Sequence, residues 1–206
     1  MSNLSALDLS ALLCSRVCHD VVGSVGAISN GLEVLDEEND VEMRQIAGDL
    51  VRKSAAQASA KLTFSRIAFG AAGSAGAEID LDDARDKAEQ MIAFEKANLV
   101  WDMPRAIRPK NEVKLLLNLI LIALSAVPRG GNITVSREGE NGLKLICDGR
   151  AARIPQHSEL FETLPESLEG VDAHSVQPIY AALLADACNL KVSFSANEEI
   201  VEIRAV

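Results

Sequence analysis

One long and regular apolar pattern occupies the first part of the chain. From residue 4 to residue 35, an apolar side chain recurs at alternating steps of three and four residues. Such spacing over roughly four heptads predicts an amphipathic helix about 50 Å long, whose apolar stripe requires a partner helix. The stripe consists of Leu4, Leu7, Ala11, Cys14, Cys18, Val21, Val25, Ile28, Leu32 and Leu35.

A second helix is predicted from about residue 40 to residue 69. The acidic run DEENDVE at residues 36–42 separates the two helices, and its carboxylates suit the first turn of the second helix. Two long helices joined by a short turn form an antiparallel hairpin. Since one hairpin covers its apolar stripe on one side only, we expect residues 1–69 to form a dimeric four-helix bundle. The second, weaker stripe consists of Met43, Ile46, Leu50, Ala58, Leu62 and Phe69.

The pattern changes after the hairpin, and the fold class predicted for the whole chain is α+β. Residues 70–79, which begin GAAGSAGA, are predicted to be a linker. Residues 80–206 alternate strand-like and helical segments, which predicts a two-layer α/β domain with helices on one face of a mixed sheet. The predicted helices are LDDARDKAEQMIAFEKA and EVKLLLNLILIALSAV, and the predicted strands are NLVWDM, GNITVSRE, GLKLICDG, LKVSFSA and EIVEIRA.

Composition and charge narrow the function classes. The 206 residues are 48% hydrophobic but only 3% aromatic, which favours helix packing by aliphatic side chains. A net charge of −10 argues against nucleic acid or an anionic membrane as the main ligand. MSNLSALDLS is not a secretory signal, and no uninterrupted apolar run reaches the ~18 residues that span a bilayer. We therefore expect a soluble, cytoplasmic protein with reduced cysteines.

His19 is the main candidate for chemistry. A metal or haem site with Cys14 and Cys18 is disfavoured, because CSRVCH has three residues between its cysteines and both cysteines lie in the apolar stripe. His19 lies about 130° around the helix from the centre of that stripe, so its side chain is predicted to face solvent. His157 and His174 lie among turn residues and are interpreted as solvated loop histidines.

The sequence CHDVVGSVGAISNGLEVL resembles the phosphoacceptor helix of two-component histidine kinases. The resemblance implies that His19 accepts a phosphoryl group, that Asp20 orients the imidazole, and that Arg16 meets the phosphoryl charge. Two departures weaken a kinase or phosphatase interpretation, because Gly23 replaces the family's Thr or Asn and Ser24 replaces its Pro.

The second domain resembles the ATPase domain of the same kinases, with its nucleotide site altered. Asn118 matches the first Asn of the kinase motif, but Ile122 stands where the Mg²⁺-binding Asn is expected. Arg150 to Arg153 replace the glycines beside adenine, and EGVDAHSVQPIYAALLADA replaces the glycine-rich segment that contacts phosphates. We therefore expect that this chain binds no ATP and no other cofactor, and that Mg²⁺ is carried by the partner receiver domain.

Nearly the whole chain is similar to alphaproteobacterial histidine phosphotransferases. The resemblance implies a homodimer that accepts phosphate from the receiver domain of the hybrid kinase CckA and delivers it to the regulators CtrA and CpdR in cell-cycle control. Two alternatives stay open: a structural dimer or adaptor that binds receivers without phosphotransfer, and a working kinase or phosphatase.

Small side chains near His19 are predicted to admit a receiver helix. Glycine inside a helix costs about 1 kcal/mol relative to alanine, so two near His19 suggest the close approach of another backbone. Counting back from a turn near residue 38, His19 is expected to lie level with about residue 58 of the second helix. The predicted contact residues are Ser15, Val22, Gly23 and Gly26 on the first helix, and Ala55, Ala56, Ser59 and Ala60 on the second.

Overall fold

The computed structural model describes residues 5–70 and 77–206 of the chain. Leu4 of the predicted stripe and residues 71–76 of the predicted linker lie outside the described residues. The linker prediction was too long at its C-terminal end. Glu78–Asp80 form strand β1, since they pair with a second short strand further along the chain.

The first two elements form the predicted antiparallel hairpin. Helix α1 spans Ala6–Glu37 and helix α2 spans Val41–Ala68. Each helix begins at a capping side chain, because Ser5 and Asp40 accept hydrogen bonds from backbone N–H groups three residues along, at 3.3 and 3.0 Å. The hairpin prediction is confirmed, with helix ends shifted by one or two residues.

The connection between the helices is closed by its own polar groups. The Glu38 carboxylate accepts hydrogen bonds from the backbone N–H groups of Asn39 and Asp40, at 2.8 and 3.0 Å. Both bonds lower the pKa of Glu38 from its ordinary value, and the bond from Asp40 has the larger effect. The Arg44 guanidinium donates to the carbonyl of Leu35 and, at 2.9 Å, to that of Glu38. The turn is thereby held in one tight conformation.

Small and polar residues make the closest contact between α1 and α2. A Cβ atom on Gly31 would lie 2.6 Å from Val51 Cγ2 and 3.3 Å from the Ala47 carbonyl oxygen, so this position requires glycine or a displaced neighbour. Ser24 is buried and donates a hydrogen bond of 3.2 Å to Gln57 Oε1. The helices therefore approach each other through this small-residue face.

The predicted apolar stripes are largely exposed in the single chain. On α1, Leu7 is 78% exposed, and on α2 Val41 is 79% and Ile46 56% exposed. This exposure agrees with the expectation that one hairpin covers its stripe on one side only, because Gly31 and Ser24 occupy the contact between α1 and α2. By length and composition alone α1 is apolar enough to cross a membrane, which reflects the same open face. Further exposed apolar residues of the hairpin are Val22, Val25, Leu32, Met43, Leu50 and Leu62.

Residues 77–206 form the remaining elements, which we call the C-terminal unit. Five of its strands form one sheet, and two short strands form a separate antiparallel pair. In chain order its elements are β1 (Glu78–Asp80), α3 (Leu81–Ile92), β2 (Ala97–Asp102), β3 (Ile107–Pro109), α4 (Lys110–Ala126), β4 (Gly131–Glu138), β5 (Gly142–Asp148), a 3₁₀ turn (Ser158–Phe161), α5 (Val176–Ala187), β6 (Val192–Asn197) and β7 (Ile200–Ala205).

The main sheet is mixed, as predicted. Its strand order is β2-β4-β5-β7-β6, with β2 and β4 parallel and every other neighbouring pair antiparallel. Alternate residues of the central strands are buried, including Ile133 and Val135 of β4 and Leu145 and Cys147 of β5. One buried face covered by helices confirms the two-layer architecture.

Two element boundaries differ from the sequence-based expectation. The helix predicted to continue to Ala97 ends at Ile92, because Ala97 already pairs with Gly131 in the β2–β4 ladder. Helix α5 was not predicted, since its segment had been compared only with a phosphate-binding loop. These differences come from tertiary pairing rather than from local pattern.

The end of α2 belongs to the core of the C-terminal unit. Phe64, Ile67 and Ala68 are buried in the same apolar cluster as the helices of that unit. The amide of Asn118 on α4 also donates a hydrogen bond of 3.1 Å to the carbonyl oxygen of Ala68. This packing fixes where the hairpin lies against the C-terminal unit.

Candidate functional site

His19 lies on the exposed side of α1, as the helical geometry predicted. Its side chain is 54% exposed to solvent. Residues three, four, seven and eight positions away along a helix share a face, so one surface carries both the imidazole and several small side chains. The exposed residues on this surface of α1, which we call the His19 face, are Ser15, His19, Val22, Gly23 and Gly26.

The two glycines of the His19 face have open space around them. A Cβ atom on Gly23 or Gly26 would meet no atom of the described chain within 4 Å. Neither glycine therefore serves the packing of this hairpin, in contrast to Gly31. An incoming helix or loop could approach the α1 backbone closely at both positions.

Asp20 contacts Arg16 more closely than it contacts His19. Arg16 Nε donates a hydrogen bond of 2.9 Å to Asp20 Oδ2, and both side chains are mostly shielded from solvent. Asp20 Oδ1 lies 3.7 Å from His19 Nδ1, which is close enough for electrostatic attraction but too far for a hydrogen bond. The expectation that Asp20 holds the ring by a direct hydrogen bond does not fit this geometry, because Arg16 takes up the carboxylate.

Lys61 of α2 reaches the same place and was missed from sequence. Its ammonium group donates a hydrogen bond of 3.1 Å to the backbone carbonyl of Asp20, the residue after His19. The connection of the hairpin centres on Asn39, which places His19 level with about residue 59, close to the expected residue 58. The long side chain of Lys61 reaches this level from further along α2.

The small residues of α2 near His19 differ in their exposure to solvent. Ala55, Ala56 and Ser59 are exposed, as a docking surface requires. Ala60 is buried, so its side chain is excluded from any surface that a partner would touch. The prediction for Ala60 is wrong because that position faces the packed side of α2.

A residue from the C-terminal unit contacts His19 directly. The rings of His19 and His174 are 4.6 Å apart between centroids and meet edge to face at 78°. Arg16 Nη1 lies 3.4 Å from His174 Nδ1 and donates to the carbonyl oxygen of Ala173 at 3.5 Å. His174 is an exposed turn residue, as interpreted from sequence, but packing of the two units also brings it onto His19 from a distant part of the chain, which the sequence did not predict.

A short polar turn holds His174 in place before α5. Asp172 Oδ1 accepts hydrogen bonds from the backbone N–H groups of His174 and Ser175, at 3.0 and 2.8 Å, and one from the Ser175 hydroxyl. The hydrogen bond from the Ser175 hydroxyl has the largest effect, followed by the bond from the Ser175 N–H. Together they stabilise the carboxylate and lower the pKa of Asp172 to about 2. Asp172 therefore stays ionised and keeps this turn closed at neutral pH.

An open cavity of about 550 Å³ lies between the hairpin and the C-terminal unit, beside the His19 face. His157, at the start of the 3₁₀ turn, lines this cavity and has a left-handed backbone with φ of 64°. The charged groups on its wall come from both units. Its lining includes Arg16, Asp20, Lys61, Ile122, His174 and Gln177.

Asn118, which matches the first Asn of the kinase motif, makes its hydrogen bonds within the protein. Its amide donates to the carbonyl oxygens of Ala68 and Lys114, at 3.1 and 2.9 Å, and its Oδ1 accepts from Gln177 Nε2 at 3.0 Å. Asn118 and Gln177 are both buried, and so is Ile122 at the position of the second motif Asn. The polar atoms of Asn118 are satisfied by its own chain and are thus turned away from any ligand.

The cysteines have free thiols. Cys14 and Cys18 are exposed on α1, whereas Cys147 is buried in the sheet. Burial raises the pKa of Cys147 to about 12, and burial together with Glu112 raises that of Cys188 to about 11. Within residues 5–70 and 77–206, no cluster of three or more His, Cys, Asp or Glu side chains is arranged to hold a metal ion.

The chain is similar to known phosphotransferases over nearly its full length. Residues 81–200 match the family described as the histidine phosphotransferase C-terminal domain. The protein phosphotransferase ChpT of Brucella abortus (strain 2308) is 46% identical over 205 residues, covering 98% of this chain and 97% of that protein.

A solved structure of similar sequence gives the same result. A bacterial phosphotransferase solved at 1.7 Å has a TM-score of 0.89 and 45% identity, covering 99% of this chain and 98% of that chain. The histidine kinase AdeS of Acinetobacter baumannii is more distant, with a TM-score of 0.47 and 12% identity over 91% of this chain and 95% of that chain. With an exposed His19 on a helical hairpin, a family match over residues 81–200 and a full-length relative, this chain belongs to the histidine phosphotransferases.

Proposed function

We propose that His19 is the phosphoacceptor of a phosphorelay. The protein takes a phosphoryl group from the receiver aspartate of a hybrid histidine kinase and passes it to receiver aspartates of response regulators. The observation that carries this proposal is the exposed imidazole of His19 beside the Arg16–Asp20 ion pair, on a helix face with open space at Gly23 and Gly26.

The geometry favours Nε2 of His19 as the attacking atom. His19 Nδ1 faces Asp20 Oδ1 at 3.7 Å, and a proton held on Nδ1 leaves the lone pair on Nε2. This lone pair attacks the phosphorus of the aspartyl phosphate, so that a P–N bond forms while the P–O bond to the receiver breaks. The receiver carboxylate leaves with the electron pair, and the reverse step phosphorylates the next receiver.

The neighbouring charges support the imidazole and the phosphoryl group. Asp20 attracts the Nδ1 proton electrostatically across 3.7 Å and is itself held by Arg16. Arg16 supplies positive charge one turn before His19, where a transferred phosphoryl group would arrive. Little more is needed from this chain, because the transfer depends on alignment and charge neutralisation, and the receiver brings its own Mg²⁺.

The surface supports docking of a receiver domain, and the family resemblance suggests which receivers take part. An acidic protein with a net charge of −10 favours basic partner surfaces, and the receiver would dock on the His19 face together with Ala56 and Ser59. The donor is the receiver domain of a hybrid kinase of the CckA kind, and the acceptors are the regulators CtrA and CpdR in cell-cycle control. The relay operates in the cytoplasm.

The exposed apolar residues of the hairpin support a homodimer. Val25 and Leu32 on α1 are 50% and 48% exposed, and Ile46 and Leu50 on α2 are 56% and 44% exposed; exposed apolar side chains repeated along a hairpin mark a protein interface. Two hairpins packed through these stripes would complete a four-helix bundle. The fragment of residues 4–69 should sediment as a dimer at micromolar concentration, and a monomer would contradict the bundle.

We propose further that the C-terminal unit does not bind ATP. The internal hydrogen bonds of Asn118, the apolar Ile122 and the exposed arginines at 150 and 153 support this. Titration calorimetry of the intact protein with ATP and Mg²⁺ should give no measurable heat of binding. Micromolar affinity would overturn the proposal and favour a kinase.

The decisive experiment measures phosphotransfer from a labelled receiver. Incubation with phosphorylated receiver should place an acid-labile, base-stable label on this protein, as expected for a phosphoramidate. His19→Ala should abolish the label, and Asp20→Ala should slow its appearance. Gly23→Leu should block receiver docking while the dimer stays intact, since its Cβ points into open space within the chain.

Two outcomes would contradict the relay. Full labelling of His19→Ala would exclude His19 as the phosphoacceptor. Receiver binding by the unsubstituted protein without any transfer of label would instead favour the adaptor function.

A further inference from the structure

Among residues 5–70 and 77–206, the ring that packs against the imidazole of His19 comes from the other unit of the chain. Asp20 is 3.7 Å away and Arg16 bonds to Asp20, so no hydrogen bond from either side chain fixes the imidazole plane. The contact that does restrict the ring is the edge-to-face packing of His174 at 4.6 Å. Such pairs of aromatic rings have preferred geometries, so this contact limits rotation about the side-chain bonds of His19.

His174 is itself held from two sides. Its backbone N–H donates to Asp172 Oδ1 at 3.0 Å within the polar turn, and its Nδ1 lies 3.4 Å from Arg16 Nη1. A guanidinium group only donates hydrogen bonds, so this contact favours the tautomer in which Nδ1 of His174 is the acceptor and Nε2 carries the proton. The contact with Arg16 therefore selects one orientation of the His174 ring beside His19.

Arg16 links His174 to the carboxylate of Asp20, the residue after His19. One guanidinium group bonds to Asp20 through Nε and faces both the carbonyl of Ala173 and the ring of His174 through Nη1. The segment before α5 and the phosphoacceptor helix thus share one cation. Displacement of this segment would change the surroundings of His19 and of Asp20 together.

We propose that His174 is a positioning residue for phosphotransfer, which holds the His19 imidazole in the orientation that a receiver aspartate requires. The C-terminal unit therefore completes the phosphoacceptor site, in addition to any contact it makes with the receiver. The proposal rests on the proposed role of His19. Positioning matters because phosphoryl transfer needs the attacking nitrogen in line with the leaving oxygen, and misplacement of about 1 Å can cost a hundredfold in rate.

The test uses single-turnover transfer from a phosphorylated receiver to the intact protein, measured over a range of receiver concentrations. His174→Ala should lower the limiting transfer rate about tenfold, while the receiver concentration at half-maximal rate stays unchanged. His174→Phe should recover most of the rate, because it keeps a ring against His19 without the acceptor for Arg16. His157→Ala is the matched control, since His157 lines the same cavity and should transfer at the unsubstituted rate.

A spectroscopic measurement separates positioning from a general loss of structure. Long-range nitrogen–proton NMR spectra should show His174 protonated on Nε2 in the unsubstituted protein. The His19 signals should shift in His174→Ala, while far-ultraviolet circular dichroism and the dimer stay the same. A His174 ring protonated on Nδ1 would overturn the assigned contact with Arg16.

The outcomes distinguish this inference from the proposed function. Labelling of His19→Ala in the same assay would refute the relay itself. If His19→Ala is unlabelled and His174→Ala transfers at the unsubstituted rate, only the positioning role is refuted. Faster transfer by His174→Ala would also refute it, because the segment would then cover His19 rather than position it.

Discussion

Gly26 and Gly31 lie in the same helix and should respond in opposite ways to the same substitution. A Cβ atom on Gly26 would meet nothing within 4 Å, so Gly26→Ala should gain helix propensity alone, about 1 kcal/mol. A Cβ atom on Gly31 would lie 2.6 Å from Val51 Cγ2, which is too close for undisturbed packing. Val51 is β-branched and stiff within a helix, so it cannot rotate away at low cost.

The expected change in the free energy of unfolding combines the gain in helix propensity with the cost of overpacking. Overpacking of a tight contact costs typically about 1–3 kcal/mol, which exceeds the propensity gain of about 1 kcal/mol. Gly31→Ala should therefore destabilise the protein by about 1 kcal/mol, and the two variants should differ by about 2 kcal/mol in free energy of unfolding. A difference of that size is roughly 30-fold in the unfolding equilibrium.

Urea unfolding followed by far-ultraviolet circular dichroism measures this difference at one fixed protein concentration. The double variant Gly31→Ala with Val51→Ala supplies the control, because removal of Cγ2 should restore much of the lost stability. If Gly31→Ala proves as stable as Gly26→Ala, the close approach of α1 and α2 at this position is refuted.

Three further predictions concern the dimer, the thiols and the core. Leu32→Glu places a charge in the exposed stripe and should convert the protein to monomers in sedimentation velocity, whereas an unchanged dimer would move the interface elsewhere. Cys147 should stay unmodified by a thiol reagent at pH 8 until the protein unfolds, because it is buried and its pKa is raised to about 12. Raising the pH towards that value should progressively destabilise the fold, since the unfolded thiol ionises first; early labelling of Cys147 would contradict its burial. Asn118→Leu should cost about 2–3 kcal/mol of stability in thermal or urea unfolding, because the buried amide of Gln177 loses its side-chain acceptor; a neutral effect would refute the structural role of this network.

The periodic pattern of apolar residues predicted the helices and strands, but not which of them pack against each other. The hairpin and the strands β4 and β5 were correctly placed, because their apolar spacing is long and regular. The same spacing predicted that the α1 stripe needs a partner, but not which residues of α1 contact α2. Gly31 and Ser24, which interrupt apolar character, turned out to make the contact with α2.

Sequence located His19 but could not locate its neighbours from α2 and the C-terminal unit. The exposure of His19 follows from its angle to the stripe on one helix, which is a local property. His174 and Lys61 reach the site only through packing between distant segments, and no local pattern records that packing. The three-residue strands β1 and β3 were missed for a similar reason, since pairing rather than alternation defines them.

The burial of the end of α2 in the core of the C-terminal unit has a consequence for control of the relay. Phe64 and Ile67 would lose their cover if the hairpin swung away, which costs about 1.5–3 kcal/mol for each side chain, and the bond from Asn118 to the Ala68 carbonyl would break. The proposed phosphoacceptor surface therefore keeps a constant shape. The direction and rate of phosphate flow would then be set by the abundance and phosphorylation of the receivers that arrive, and a cell could redirect the pathway by changing those partners alone.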